Sequence, residues 1–163
     1  MTDFFSPTLM IQLIMSAIGS VGFAMIYRVA GKYLPLAALG GTLTFAVYYT
    51  IEFFGFGVFT AAMLSSAFSA LFSEVFAKIK RAPVSIFLLP CSIPIVPGSA
   101  LYYTMANFIA KDFSMAWHYL GIALGVGLGI ACGIVVVPVA WQLSLGAIAY
   151  IGRKRKKKSQ ESE

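Results

Sequence analysis

Apolar residues run along this chain in long blocks separated by a few polar positions, without the short alternations of a soluble domain. A helix that crosses a bilayer core needs about 20 such residues. Blocks at about 7–27, 34–51, 55–77 and 84–110 meet that length, and each is predicted to form one span. The last block, about 117–150, would extend roughly 50 Å as a helix rising 1.5 Å per residue. That exceeds one crossing but falls short of two crossings and a turn. Pro138 offers a bend, after which WQLSLGAIAY either continues one bent helix or lies as a separate segment near the interface.

The fourth block differs from the others. Its core, PCSIPIVPGSALYYTMANFIA, gathers Pro90, Pro94, Pro97 and Gly98 around the middle of the span. Each proline removes a backbone donor, crowds the preceding turn and pushes the residue before it out of helical geometry. The chain from Ile93 to Pro97 is therefore predicted to be unwound near mid-membrane. GSALYYTMANFIA has no breaker and is predicted to follow as a half-helix with proline at its first turn.

Small residues indicate how the helices pack. Gly121, Gly125, Gly129 and Gly133 recur every four residues in the last span. In the third span Ala62, Ser66 and Ala70 recur likewise, with Ser65, Ser69 and Ser73 beside them. Lipid supplies no hydrophobic drive between helices, so close approach through small residues is the usual device. Such ridges serve packing within the chain or a face for another subunit, a homo-oligomer included.

Composition agrees with this pattern. Of 163 residues 60% are hydrophobic and 11% charged, with a mean hydropathy of +0.87. A soluble domain carries roughly 25% charged residues. The expected fold is an all-α integral membrane protein with five transmembrane helices, the fourth discontinuous.

The net charge of +6 has a local origin, since half of the twelve Lys and Arg residues form the tail RKRKKK, Arg153 to Lys158. No aromatic residues interleave it, so anionic headgroups of the bilayer, and not nucleic acid, are its expected contact. Five spans with the N-terminus outside put Arg28, Lys32, Lys78, Lys80, Arg81 and the tail inside, with Lys111 alone among basic residues outside. This predicts a membrane domain over residues 1–152 and a basic cytoplasmic tail over 153–163, in the cell's inner membrane. MTDFFSP has an acid where a signal peptide would be basic, so the first block is expected to be kept as a span. Cys91 and Cys132 lie singly in apolar runs and read as small buried residues.

An unwound segment at membrane depth is tolerated only where protein or a water-filled cavity satisfies its backbone. Discontinuous helices of this kind hold substrates in secondary transporters, with amides facing an anion and free carbonyls a cation. On that reading Pro94, Pro97 and Gly98 shape a substrate site, and the amides from Gly98 to Ala100 dock a carboxylate. Ser99, Tyr103 and Asn107, spaced by four, form a polar stripe beside it. The alternative is a packing kink whose stripe bonds a neighbouring helix. No acid lies at mid-depth; Glu74 is the candidate for proton coupling, although Lys78 at i+4 also suits an ion pair. The sequence contains no Cys/His metal spacing, no nucleophile with a nearby base and no phosphate-binding loop, so neither an enzyme nor a cofactor is expected.

The segment IFLLPCSIPIVPGSALYYTM, with the later run ACGIVVV, resembles the threonine/serine exporter family, and is most similar to the small subunit of its split, two-gene form. That resemblance implies ion-driven export of small hydrophilic metabolites, either amino acids such as threonine and serine or small dicarboxylates such as succinate. It also implies a larger membrane subunit as partner. A non-transporting subunit that stabilises a larger complex is the alternative.

Overall fold

The computed structural model describes residues 7–160, with side chains from 8 to 140. The N-terminal stretch through residue 6, residues 161–163, and the side chains of WQLSLGAIAY and the basic tail lie outside the described residues. Six α-helices follow in order: α1 (Pro7–Ile26), α2 (Leu34–Phe53), α3 (Val58–Lys80), α4 (Ser85–Ser92), α5 (Gly98–Ile109) and α6 (Phe113–Gln160). Short 3₁₀ turns precede α2 (Gly31–Tyr33) and follow α4 (Ile93–Ile95). Among the described residues four helical segments are long and apolar enough to cross a membrane, and the α4–α5 pair, bent by 51°, counts as a fifth when taken as one broken span.

The packing is inverted relative to a soluble protein. Buried positions are mostly small or hydroxylated, including Ala24, Ala37, Ala61, Ala62, Ala70, Ser20, Ser65, Ser69 and Ser73. Large apolar side chains such as Ile11, Ile14, Ile18, Leu124 and Leu128 point outward. This arrangement suits a solvent as apolar as the core, where association depends on backbone proximity. The buried hydroxyls mostly turn back on their own helices. Ser65 donates to the Ala61 carbonyl at 2.7 Å, Ser73 to Ser69 at 2.7 Å and Thr44 to Gly40 at 2.8 Å.

The α3–α6 interface is the most extensive in the bundle. Gly129 and Gly133 create it: a Cβ on Gly129 would stand 2.6 Å from the Phe59 carbonyl oxygen, and one on Gly133 would stand 2.9 Å from the Ala67 nitrogen. Gly121 and Gly125, from the same ladder, face open space within the chain. Helices α5 and α6 are fastened by rings, with Tyr103 and Tyr119 centred 5.2 Å apart and Phe108 and Trp117 6.4 Å apart. At the start of α6 the Asp112 carboxylate accepts the Met115 amide at 3.1 Å, so the helix begins at Phe113, earlier than the apolar pattern indicates.

The last block runs as one helix through Pro138 to Gln160. A single proline deletes one backbone hydrogen bond, and the turns on either side carry the helix past it. One expectation is corrected: the break in the fourth span is shorter than Ile93 to Pro97. Ile93–Ile95 form a 3₁₀ turn, leaving only Val96 (φ −64°, ψ 131°) and Pro97 (φ −77°, ψ 56°) outside helical geometry. Pro94 and Pro97 lack the donors that would reach the carbonyls of residues 90 and 93. The tighter turn recovers one of these, since the Val96 amide donates to the Ile93 carbonyl at 3.1 Å. Pro90 is accommodated inside α4 and buried.

Candidate functional site

The break is held in place by glycines of α2. A Cβ on Gly40 would strike Cys91 Sγ and come within 2.7 Å of the Phe72 ring. One on Gly41 would strike the Ser20 hydroxyl and reach Pro94 Cγ at 3.4 Å. The absence of two side chains therefore lets α1, α3, α4 and the 3₁₀ turn converge on one level of α2. Phe87, fully buried, meets the Tyr33 ring edge-on at 5.3 Å and anchors the start of α4.

Beyond that level the bend opens a cavity of about 210 Å³. Phe45 and Tyr48 of α2, Ile122 and Val126 of α6, and the chain from Pro94 to Pro97 with Ser99 and Ala100 line it. Three of the residues singled out from sequence, Pro94, Pro97 and Ser99, thus share one wall. Gly98 lies between two of them, and its amide donates to the Val96 carbonyl at 2.8 Å. The amides of Ser99 and Ala100 have no carbonyl partner among the described residues, and no side chain caps this helix end. They are the free donors at the start of α5.

The rest of the polar stripe goes elsewhere. Tyr103 packs on Tyr119 and Tyr102, and Asn107 Nδ2 donates to the Tyr103 carbonyl at 2.8 Å. Neither lines the cavity. Glu74 lies at the far end of α3, with Lys78 Nζ 4.0 Å from its Oε2. Among the described residues no group of three or more His, Cys, Asp or Glu is placed to hold a metal.

Sequence reasoning missed Phe45, Tyr48 and the α1 residues on the other side of Pro94. A second cavity, of about 300 Å³, opens there between Gln12, Met15, Ser16, Phe45 and Pro94. Its signal was legible, because Gln12, Ser16 and Ser20 recur at the same four-residue spacing as the α5 stripe. Phe45 carried no such signal. Only the approach of α2 to the break puts its ring between the two cavities.

Apolar spans around one broken span, with a small cavity at the break, define a multi-pass all-α membrane protein built as transporters are built. Residues 12–140 match the family model of the threonine/serine exporter, ThrE. The chain belongs to that family and is a membrane transporter of the threonine/serine exporter type. No solved structure matches it.

Proposed function

We propose that this chain is one subunit of a two-component exporter, and that the cavity at the break between α4 and α5 holds a small amino acid such as threonine or serine. The observation that carries this is the coincidence of the 51° bend, the unpartnered Ser99 and Ala100 amides and the cavity beside them. A substrate carboxylate would accept from those amides, which also sit at the positive end of the α5 dipole. At about 210 Å³ the cavity falls below the roughly 300–1,000 Å³ typical of drug-sized ligands, so it suits a metabolite of few heavy atoms. Its walls carry no charged side chain. A zwitterion can balance its own ammonium with backbone carbonyls. A dicarboxylate such as succinate would bring two negative charges with no cation to meet them, which makes it the weaker candidate.

Five spans are about half of a two-repeat transporter, whose site lies between repeats. The cavity would then be completed by a larger membrane subunit of the same family, or by a second copy of this chain. Gly121 and Gly125 are open for close approach. Export would draw on an ion gradient, and Glu74 is the candidate coupling acid.

Proteoliposomes test this directly. The purified chain alone should give no gradient-driven flux of L-serine, and flux should appear when the larger subunit is added. In that complex Ser99→Ala, which keeps the amide and removes the hydroxyl on the cavity wall, should raise the half-saturating serine concentration about 2–10-fold, the value of one ordinary hydrogen bond. Robust flux from the chain alone would exclude the two-component form. An assembled complex with unaltered serine kinetics in the Ser99 variant would favour the stabilising-subunit reading.

Orientation follows from charge. The up-and-down order of spans gathers Arg28, Lys32, Lys78, Lys80 and Arg81 at one end and leaves Lys111 at the other. We place the first end in the cytoplasm and the protein in the inner membrane. In a background lacking Cys91 and Cys132, Ser85→Cys should react with a membrane-impermeant thiol reagent only from the cytoplasmic side. Labelling in intact cells from outside would reverse the topology.

A further inference from the structure

The face of α1 that meets the break is polar, although α1 is otherwise among the most apolar segments of the chain. Gln12, Ser16 and Ser20 follow one another at four-residue intervals and so lie on one side of the helix. Ser16 is 7% exposed and Ser20 is wholly enclosed. The Ser20 hydroxyl has no hydrogen-bond partner, and neither does the Gln12 amide among the described residues. Ser20 stands against Gly41, outside the cavity, whereas Gln12 is exposed at the cavity's open side. Gln12 and Ser16 line the cavity of about 300 Å³, and that cavity meets the break cavity across a shared wall made of Phe45 and Pro94. The two spaces thus share one ring and one proline in their walls. On one side stand the free amides of α5, and on the other the hydroxyl and carboxamide of α1.

We infer that the Gln12–Ser16 cavity is a second subsite on the same transport path, taking the same small zwitterion by its ammonium and side-chain hydroxyl groups, with Phe45 as the divider between the two. The inference rests on the reading of the break as the substrate site and extends it to α1. Its chemistry is uncharged hydrogen bonding. The Gln12 carbonyl oxygen and the Ser16 hydroxyl accept from an ammonium, and the Gln12 amino group donates to a hydroxyl or carboxylate. Phe45 lines both cavities, so a turn of its ring about the χ angles is the motion that would join them.

The test is protection of introduced cysteines, in the assembled complex and in a background lacking Cys91 and Cys132. Gln12→Cys, Ser99→Cys and the outward-facing Ile18→Cys are each labelled with a small methanethiosulfonate reagent, with and without L-serine or L-threonine. At ten times the half-saturating concentration the substrate should slow labelling at positions 12 and 99 about ten-fold, as mass action requires, and leave position 18 unchanged. Protection at 99 without protection at 12 overturns the second subsite and leaves the break site standing. Absence of protection at both overturns the break site and this inference with it. If Gln12→Cys does not assemble, Ser16→Cys reports on the same cavity with the same outcomes.

Discussion

Gly133→Ala should destabilise the bundle by about 2–3 kcal/mol, while Gly121→Ala, on the same helix, should leave the isolated chain unchanged. The two glycines look alike in sequence. At Gly133 an added methyl would meet the Met63 carbonyl, the Ser66 hydroxyl and the Ala67 nitrogen; at Gly121 it would meet nothing within 4 Å. Two of the three obstacles at Gly133 are backbone atoms of α3, which cannot rotate aside as a side-chain end can. The helices must separate, and separation also lengthens the 3.4 Å contact from the Ser66 hydroxyl to the Gly129 carbonyl. In lipid the lost contacts are not replaced by a hydrophobic drive, so the cost falls on the α3–α6 interface itself. Thermal unfolding in detergent, followed by far-UV circular dichroism, distinguishes the variants. Superimposable curves for Gly133→Ala and the parent would refute the close approach. A Gly121→Ala chain that is stable alone but loses its partner on co-purification would assign the upper ladder to a subunit interface.

Replacing Pro94 and Pro97 together by alanine should abolish transport, by at least about a hundred-fold, with membrane insertion intact. Each proline costs a helix interior about 3 kcal/mol relative to alanine, so the double variant strongly favours a continuous span. The recovered amides would bond the carbonyls of residues 90 and 93, and the 51° bend would relax. The Ser99 and Ala100 amides would then be consumed inside a continuous helix, and the wall of the cavity formed by Pro94, Val96 and Pro97 would be lost. Misplacement of binding groups by an ångström can cost a hundred-fold, and this change moves them further. Serine flux in proteoliposomes, alongside quantification of inserted protein, measures the effect. Near-parental flux in the double variant would show that the break has no part in transport.

The span count, the all-helical membrane fold and the position of the break were legible in the chain because each depends on local physics. Apolar length sets a crossing, and proline removes a donor wherever it stands. The resemblance carried by IPIVPG and its neighbours led to the family that the match over residues 12–140 establishes. Local signals misjudged extent. The unwound stretch contracts to Val96 and Pro97 because a 3₁₀ turn recovers part of the lost bonding.

Which polar residues share a cavity was not local at all. Ser99, Tyr103 and Asn107 form one stripe by spacing, yet Tyr103 turns to Tyr119 and Asn107 to its own helix, leaving Ser99 with Pro94 and Pro97. The residues opposite the break, Phe45, Tyr48, Gln12 and Ser16, lie some fifty to eighty-five positions upstream of it. Their approach depends on Gly40 and Gly41, where missing side chains let helices come closer than any other residue would permit. The sequence by itself determined the solvent, the number of crossings and the place where one crossing breaks, since backbone hydrogen bonding in lipid leaves few alternatives. Only the tertiary structure decided which faces meet across that break, because helix rotation and contact distance are set by steric fit between segments far apart in the chain.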